Sequence, residues 1–381
     1  MRIIARMNVG GPAVQVTGLM RGFDQSAFDQ KLLTGYCDAD ESDYLETVAP
    51  DVTVTRIDGL GRSIAPSADR KAFFQIVKEI REFKPDVIHT HTAKAGVVGR
   101  IASLVAGHKS IRVHTFHGHL LHGYFGGFKT RIVILIEKVL GYFTDRLLAV
   151  GNQVMIDLLR AGIGNKKKFS VMSPGLELRS LPSRESARKE LGLDQEKMYC
   201  AFIGRVTQIK RPDRFLDVVA DSKKHDVPIH FLVAGDGQLL QECKERALAE
   251  SLPVTFLGWR SDIETVLAAS DMVLLTSDNE GTPLSLIQAG MAQIPVVSTR
   301  VGSVAEIVQD GKTGYVVDLS VTALRTAISK LVDDPALREQ LGESAREYTM
   351  ARYGVARLVK DHQDLYRELI SDRARRNRAK S

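Results

Sequence analysis

Short apolar runs alternate with longer helix-like stretches along the whole chain, and few architectures accept that order. In the first half the runs are Arg2–Ala5, Val52–Ile57, Val87–His89, Val113–Phe116, Leu147–Val150 and Phe169–Met172. In the second half they are Cys200–Ile203, His230–Ala234, Val254–Leu257, Met272–Leu275, Val296–Ser298 and Tyr315–Val317. Helical patterns such as Ala72–Phe83 and Arg211–Lys224 lie between them. A strand followed by a helix returns beside itself in parallel, so the expected class is α/β, with parallel sheets covered by helices. Both halves carry the pattern, and 381 residues is more than one core usually takes. Two Rossmann-like domains are therefore expected, at 1–180 and 181–355. Residues 356–381 read as a C-terminal helix, able to pack back on the first domain, and a basic tail. The stretch from Pro174 to Gln195, with Pro174, Gly175 and Pro182, is the expected joint. The tail carries Arg373, Arg375, Arg376, Arg378 and Lys380, and is expected to be solvated and partly disordered.

Ligands of open α/β sheets bind at the carboxyl ends of the strands. The residues able to do chemistry fall there. Met272–Leu275 is followed by a polar corner, Thr276-Ser277-Asp278-Asn279, and then by EGTPLSLIQAG. Glu280 thus precedes a helix start, where backbone N–H groups favour anions. Gly204-Arg205 follows Cys200–Ile203, and Lys210 lies five residues on. Arginine as a fork and lysine as a point charge could converge on a diphosphate, or they could be two ordinary surface cations. Gly10-Gly11 follows the first strand and could admit a ligand close to the backbone, or simply turn the chain.

Other chemistries find less support. His89, His91, His114, His117, His119 and His122 are many imidazoles with few carboxylates beside them, so a metal site is not expected. Cys37, Cys200 and Cys243 form neither a paired framework nor a metal spacing, which fits a reducing compartment. No signal-like or membrane-spanning run is present, and a cytoplasmic location is expected. Fifty-two basic against 46 acidic side chains leave a charge of +6, which attracts nucleotides or phospholipid surfaces. Nucleic acid is not an expected partner, since the basic tail lacks interleaved aromatics. The segment Phe128–Lys138 is apolar within and basic at its edges. A buried core helix is the favoured reading, and contact with an anionic membrane is the second.

EGTPLSLIQAG resembles the E-x7-E region of the retaining GT-B glycosyltransferases of family 4, the group 1 glycosyltransferases. Glu280 stands at the first glutamate, while the second position holds Gln288. GRVTQIKR resembles the family's phosphate clamp, and NVGGPAVQV its Gly-rich loop. Thr-Phe-His, ending at His117, resembles the run whose histidine stands beside the transferred sugar. Gly235-Asp236-Gly237, Phe256-Leu257-Gly258 and Thr299–Ser303 with Glu306 are similar to further family segments, in the family's order. The resemblance covers nearly the full chain, most firmly residues 200–318.

The resemblance implies the GT-B fold, two Rossmann-like domains facing a deep inter-domain cleft. It implies a nucleotide-sugar donor, most often a UDP-sugar, and transfer with retention. The implied acceptor is a saccharide or lipid-linked molecule in surface polysaccharide or glycolipid synthesis. Neither cofactor nor metal is implied. His117, Glu280, Arg205 and Lys210 would be catalytic. Gly10, Gly11, Gly204, Gly235, Leu257, Gly281, Thr282, Pro283, Leu284 and Gln288 would bind the donor, Pro283 without an N–H to give. Glutamine at 288 accepts from a ribose diol without charge, so nucleotide binding is expected to persist more weakly. A nucleotide-sugar 2-epimerase and a non-catalytic nucleotide-sugar-binding subunit stand as the alternatives.

Overall fold

A computed structural model describes residues 1–63, 65–118 and 127–379, with the side chains of 127–129 left out. His119, His122, Phe128, Lys129 and Lys380, read above from sequence, therefore lie outside the described residues or side chains.

The chain divides into two compact units, Met1–Leu176 with Gly354–Ser381, and Glu177–Tyr353. The first holds β1 (Arg2–Ile4), β2 (Leu32–Thr34), β3 (Thr55–Arg56), β4 (Val87–His91), β5 (Ile111–Phe116), β6 (Arg146–Ala149) and β7 (Phe169–Val171). They form one parallel sheet in the order β3-β2-β1-β4-β5-β6-β7. The second holds β8 (Tyr199–Ile203), β9 (His230–Ala234), β10 (Val254–Gly258), β11 (Met272–Leu275), β12 (Val296–Thr299) and β13 (Gly314–Val317). They form a parallel sheet in the order β10-β9-β8-β11-β12-β13. Both are Rossmann-like. The order reverses between β1 and β4 in one sheet and between β8 and β11 in the other, and such switch points are where open sheets bind ligands.

The central strands are buried on both faces, as parallel sheets with helices on both sides require. β8 and β11 are apolar throughout, and β1 and β4 are equally buried although they read RII and VIHTH. The histidines of β4 can be buried because each has a partner. His89 Nδ1 lies 2.5 Å from Tyr366 Oη and its Nε2 lies 2.7 Å from Thr115 Oγ1. The run Val52–Ile57 shrinks to the two residues of β3 at the sheet edge, where one neighbour holds it.

The helix Val355–Arg378 belongs to the first unit. Leu358, Val359, Leu365, Tyr366 and Leu369 join Leu19, Val113 and Leu148 in one core. It presses so closely on the helix Gly11–Gly22 that a Cβ on Gly22 would stand 2.3 Å from Val359 Cγ2. The basic segment is a continuation of this helix through Arg378, not an irregular tail, and Arg375 donates to Asp372 at 2.8 Å one turn away. Alanine and arginine are good helix formers, and a packed helix needs no new nucleus to extend.

The favoured reading of Phe128–Lys138 is also corrected. The helix Gly127–Phe143 buries only one side. Glu137 meets Arg100 of the helix Ala93–Val105 with both carboxylate oxygens 2.7 Å from Nη2. Leu140 is buried too, while Ile132, Leu135, Ile136, Val139, Tyr142 and Phe143 are exposed. Apolar residues wrap further round this helix than the neighbouring helix can cover.

Candidate functional site

In the second unit the switch point assembles around Glu280. The carboxylate is 8% exposed. Its Oε1 accepts from Lys210 Nζ at 2.5 Å and from Ser277 Oγ at 2.6 Å, while Oε2 has no hydrogen-bond partner among the described residues. Lys210 comes from the loop after β8, where Gln208–Lys210 makes a single 3₁₀ turn. Glu280 comes from the corner after β11. These two neighbouring strands bring together residues 70 positions apart.

The corner is braced from the same loop. Thr276 Oγ1 donates to the carbonyls of Lys210 and Arg211 at 3.0 and 3.1 Å, and Asp278 N donates to Ile209 O at 3.0 Å. Arg211 and Arg214 reach the Asp278 carboxylate at 2.9 and 2.7 Å. From the other side, Ser303 N donates to Glu280 O at 3.1 Å. Gly302 adopts φ +49°, and a Cβ there would stand 1.8 Å from Glu280 O, so only glycine fits. The carboxylate is thus fixed by both neighbouring strand ends before any ligand arrives.

Gly204, Gly235 and Gly258 end three adjacent strands. Gly204 N donates to Ala234 O and Gly235 N to Gly258 O, and a Cβ on Gly235 would meet Gly204 O at 1.9 Å. Backbone packing alone demands glycine at 235. Leu257 is skipped by the β10–β9 ladder, whose register shifts between Phe256 and Gly258, so its backbone is left out of sheet pairing. Arg205 is exposed, and its side chain has no partner among the described residues. Gly281 and Thr282 lead through Pro283, the N-cap, into the helix Leu284–Met291. Gln288 sits in its second turn, half-buried, with no side-chain hydrogen bond among the described residues.

In the first unit, Gly10 and Gly11 open the helix that follows β1. A Cβ on Gly10 would find nothing closer than 3.9 Å, so the protein's own packing does not require glycine there. Thr92, just past β4, holds φ +68°, a strained value for a β-branched residue and one that clusters at functional sites. His117 follows β5. Its Nε2 lies 2.9 Å from Nδ1 of His91, the last residue of β4. Burial lowers the His117 pKa to about 3 and holds His91 well below its usual value, so both rings are neutral near pH 7. One ring must then donate and the other accept. His91 Nε2 is buried and unpartnered among the described residues. An unmet acceptor is tolerated better than an unmet N–H. The consistent assignment has His91 donating through Nδ1, which leaves His117 protonated at Nδ1.

Apart from Gln288, a turn into its helix, the candidates lie near strand ends and helix starts, and the sequence missed three contributors. Ser277 was visible only as part of a polar corner. His91 had no assigned role, yet it is a buried strand residue beside His117. The brace of Arg211 and Arg214 on Asp278 has no local signal, since its partners are more than 60 residues apart. Among the described residues no cluster suited to a metal ion is found.

Comparison with known proteins covers both units. The family described as "Glycosyl transferases group 1" matches residues 183–348, and "Glycosyl transferase 4-like domain" matches residues 10–175. An Escherichia coli protein named UDP-Gal:alpha-D-GlcNAc-diphosphoundecaprenol alpha-1,3-galactosyltransferase is 26% identical, over 82% of this chain and 82% of its own. The capsular polysaccharide biosynthesis glycosyltransferase CapM of Staphylococcus aureus is 22% identical, over 87% and 89%. Among solved structures, Anabaena HepE in complex with UDP-glucose superposes with a TM-score of 0.81 at 20% identity, covering 97% of this chain and 99% of that one. Sucrose-phosphate synthase from Thermosynechococcus elongatus gives 0.78 at 19% identity, covering 97% and 99%.

Proposed function

The chain belongs to the group 1 glycosyl transferases, and from that premise we propose that it moves a sugar from a UDP-sugar to a saccharide or lipid-linked acceptor, with retention at the anomeric carbon. The observation that carries this reading is the half-occupied Glu280 carboxylate. Oε1 is held by Lys210 and Ser277, and Oε2 remains to accept from a donor-sugar hydroxyl. Lys210 keeps further N–H donors for the diphosphate, and Arg205 offers its fork to the same group. Positive charge placed where the leaving diphosphate gains charge is the largest contribution we assign to the protein.

In this scheme the C1–O bond to the diphosphate breaks and a bond from C1 to the acceptor oxygen forms on the same face. The acceptor's proton passes to an oxygen of the leaving phosphate, so no protein base is assigned. His117, protonated at Nδ1 and neutral, donates to the transferred sugar. The uridine base meets the unpaired backbone at Leu257, and the ribose diol meets Gln288. Gly10 and Gly11 allow close approach of the phosphates. UDP is the donor nucleotide of the Escherichia coli relative and is bound in the HepE structure, which supports this choice.

Calorimetric titration with UDP, GDP, ADP and their common sugars tests the reading. Selective binding of UDP and one UDP-sugar is expected; folded protein that binds none of them would refute it. Gln288→Glu is expected to tighten UDP about five- to tenfold, because a charged acceptor adds roughly 1 kcal/mol over a neutral one. Unchanged UDP affinity in that variant would remove Gln288 from the ribose.

A further inference from the structure

We propose that the exposed face of the helix Gly127–Phe143 is a docking surface for an anionic lipid bilayer. Ile132, Leu135, Ile136, Val139, Tyr142 and Phe143 recur at helical spacing and form one stripe. Leu135 is 63% exposed, Val139 52% and Tyr142 76%. Soluble surfaces rarely keep so many large apolar side chains together on one helix, and a patch of this kind marks an interaction site. The Arg100–Glu137 pair fixes which side faces inward, so the helix cannot roll to hide the stripe.

Charge identifies the occupant. Arg131 and Lys138 lie along one edge of the stripe and are exposed. At the C-terminal end, Lys168 donates to the carbonyls of Gly141, Tyr142 and Thr144 at 3.0, 2.6 and 2.8 Å. That contact brings the exposed Lys166 and Lys167 beside the same end. Arg112 donates to Phe143 O at 2.7 Å, and the exposed Asp145, 3.8 Å from its guanidinium, offsets its charge, so Arg131, Lys138, Lys166 and Lys167 carry the rim. The carboxylate on the helix, Glu137, is buried on the opposite side. An apolar stripe rimmed by cations matches the interface of an anionic membrane, where acyl chains take the stripe and phosphates take the rim. No helix among the described residues is long and apolar enough to cross a membrane, so the contact is peripheral. The inference deepens the lipid-linked acceptor reading above by naming the face that would bring the protein to such an acceptor.

Flotation of the full chain with vesicles, without donor or acceptor, tests it. Wild type should bind vesicles of phosphatidylcholine and phosphatidylglycerol, more weakly as salt rises, and bind phosphatidylcholine alone poorly. Each cation at the surface contributes about fivefold. Leu135→Glu with Val139→Glu, and separately Arg131→Glu with Lys138→Glu, should each lose roughly tenfold or more while keeping transfer to a water-soluble acceptor. All four positions are exposed, so circular dichroism should show unchanged folding. Absence of wild-type binding, or equal binding by the variants, overturns the proposal. So does sedimentation showing a lipid-free dimer that Leu135→Glu dissociates, which would give the face to a second copy. Nucleotide calorimetry needs no lipid and vesicle flotation needs no nucleotide, so the two readings fail separately.

Discussion

Acidification from neutral to about pH 5 should unfold the unit Met1–Leu176 with Gly354–Ser381 before the unit Glu177–Tyr353. The first unit buries His89, His91, His114 and His362 at 0–1% exposure. Burial, and then the neighbouring histidines and Arg2 or Arg100, hold the first three well below their usual pKa; burial brings His362 to about 3. Each is neutral in the folded protein and titrates near 6.5 once unfolded. Above that pH neither state binds the proton and stability is full. Below it the unfolded chain takes up protons that the folded one refuses, and each histidine removes about 1.4 kcal/mol per pH unit until its folded pKa is reached. Four together remove roughly 5 kcal/mol per unit, against a typical domain stability of about 5–15 kcal/mol. In the second unit burial, and then Lys197, lower the pKa of His230, so that unit carries one such group against four in the first.

Urea unfolding followed at both pH values by hydrogen exchange of peptides from each unit would resolve the two transitions. Trp259, the chain's single tryptophan, reports the second unit by fluorescence. The His362→Leu protein should regain about 1.4 kcal/mol per pH unit of acid resistance. Midpoints that move equally in both units would show that the buried histidines do not set acid stability.

Glu280→Gln should lower kcat by about 10²–10³ while leaving UDP affinity nearly unchanged. The substitution keeps shape and hydrogen-bond count, but it removes the charge that holds Lys210 and accepts the sugar hydroxyl. Glu280→Ala should cost more, because Lys210 and Ser277 then lose the acceptor oxygen as well as the charge. Ser277→Ala removes one of two donors to the same oxygen and should cost about tenfold or less. Single-turnover assays with donor and acceptor separate these effects from binding. A Glu280→Gln protein retaining kcat within tenfold of wild type would take Glu280 out of the reaction.

What the sequence made legible follows the range of each interaction. β9 and β11 lie where their apolar runs predict, because a strand buried on both faces shows as an unbroken run. β2, Leu32–Thr34, lies outside every run read from the sequence, although β1 and β7 are no longer than it is. Glu280, Lys210 and Gly235 were visible as residues at strand ends, yet their contacts were not. The ion pair depends on β8 and β11 being neighbours, and strand order is not written in any local spacing. The histidines of β4 show the same limit. Val87–His89 reads as a strand, but only Tyr366, far along the chain, explains how His89 is buried. The exposed stripe of Gly127–Phe143 misled because apolar composition alone does not say which side a neighbour covers.

The chain leaves the first unit after Leu176 and returns to it at Gly354, and this has a consequence for synthesis. The core built on Val113 and Leu148 waits for Leu358, Val359 and Tyr366 to close it. At about 5–20 residues per second, the ribosome takes roughly 9–35 s to make the intervening unit. During that interval the earlier half stands on the ribosome with an open apolar seam while the later half is still being made. The first half to be translated therefore cannot be the first to be completed, and the nascent first half is where a chaperone would have its opportunity.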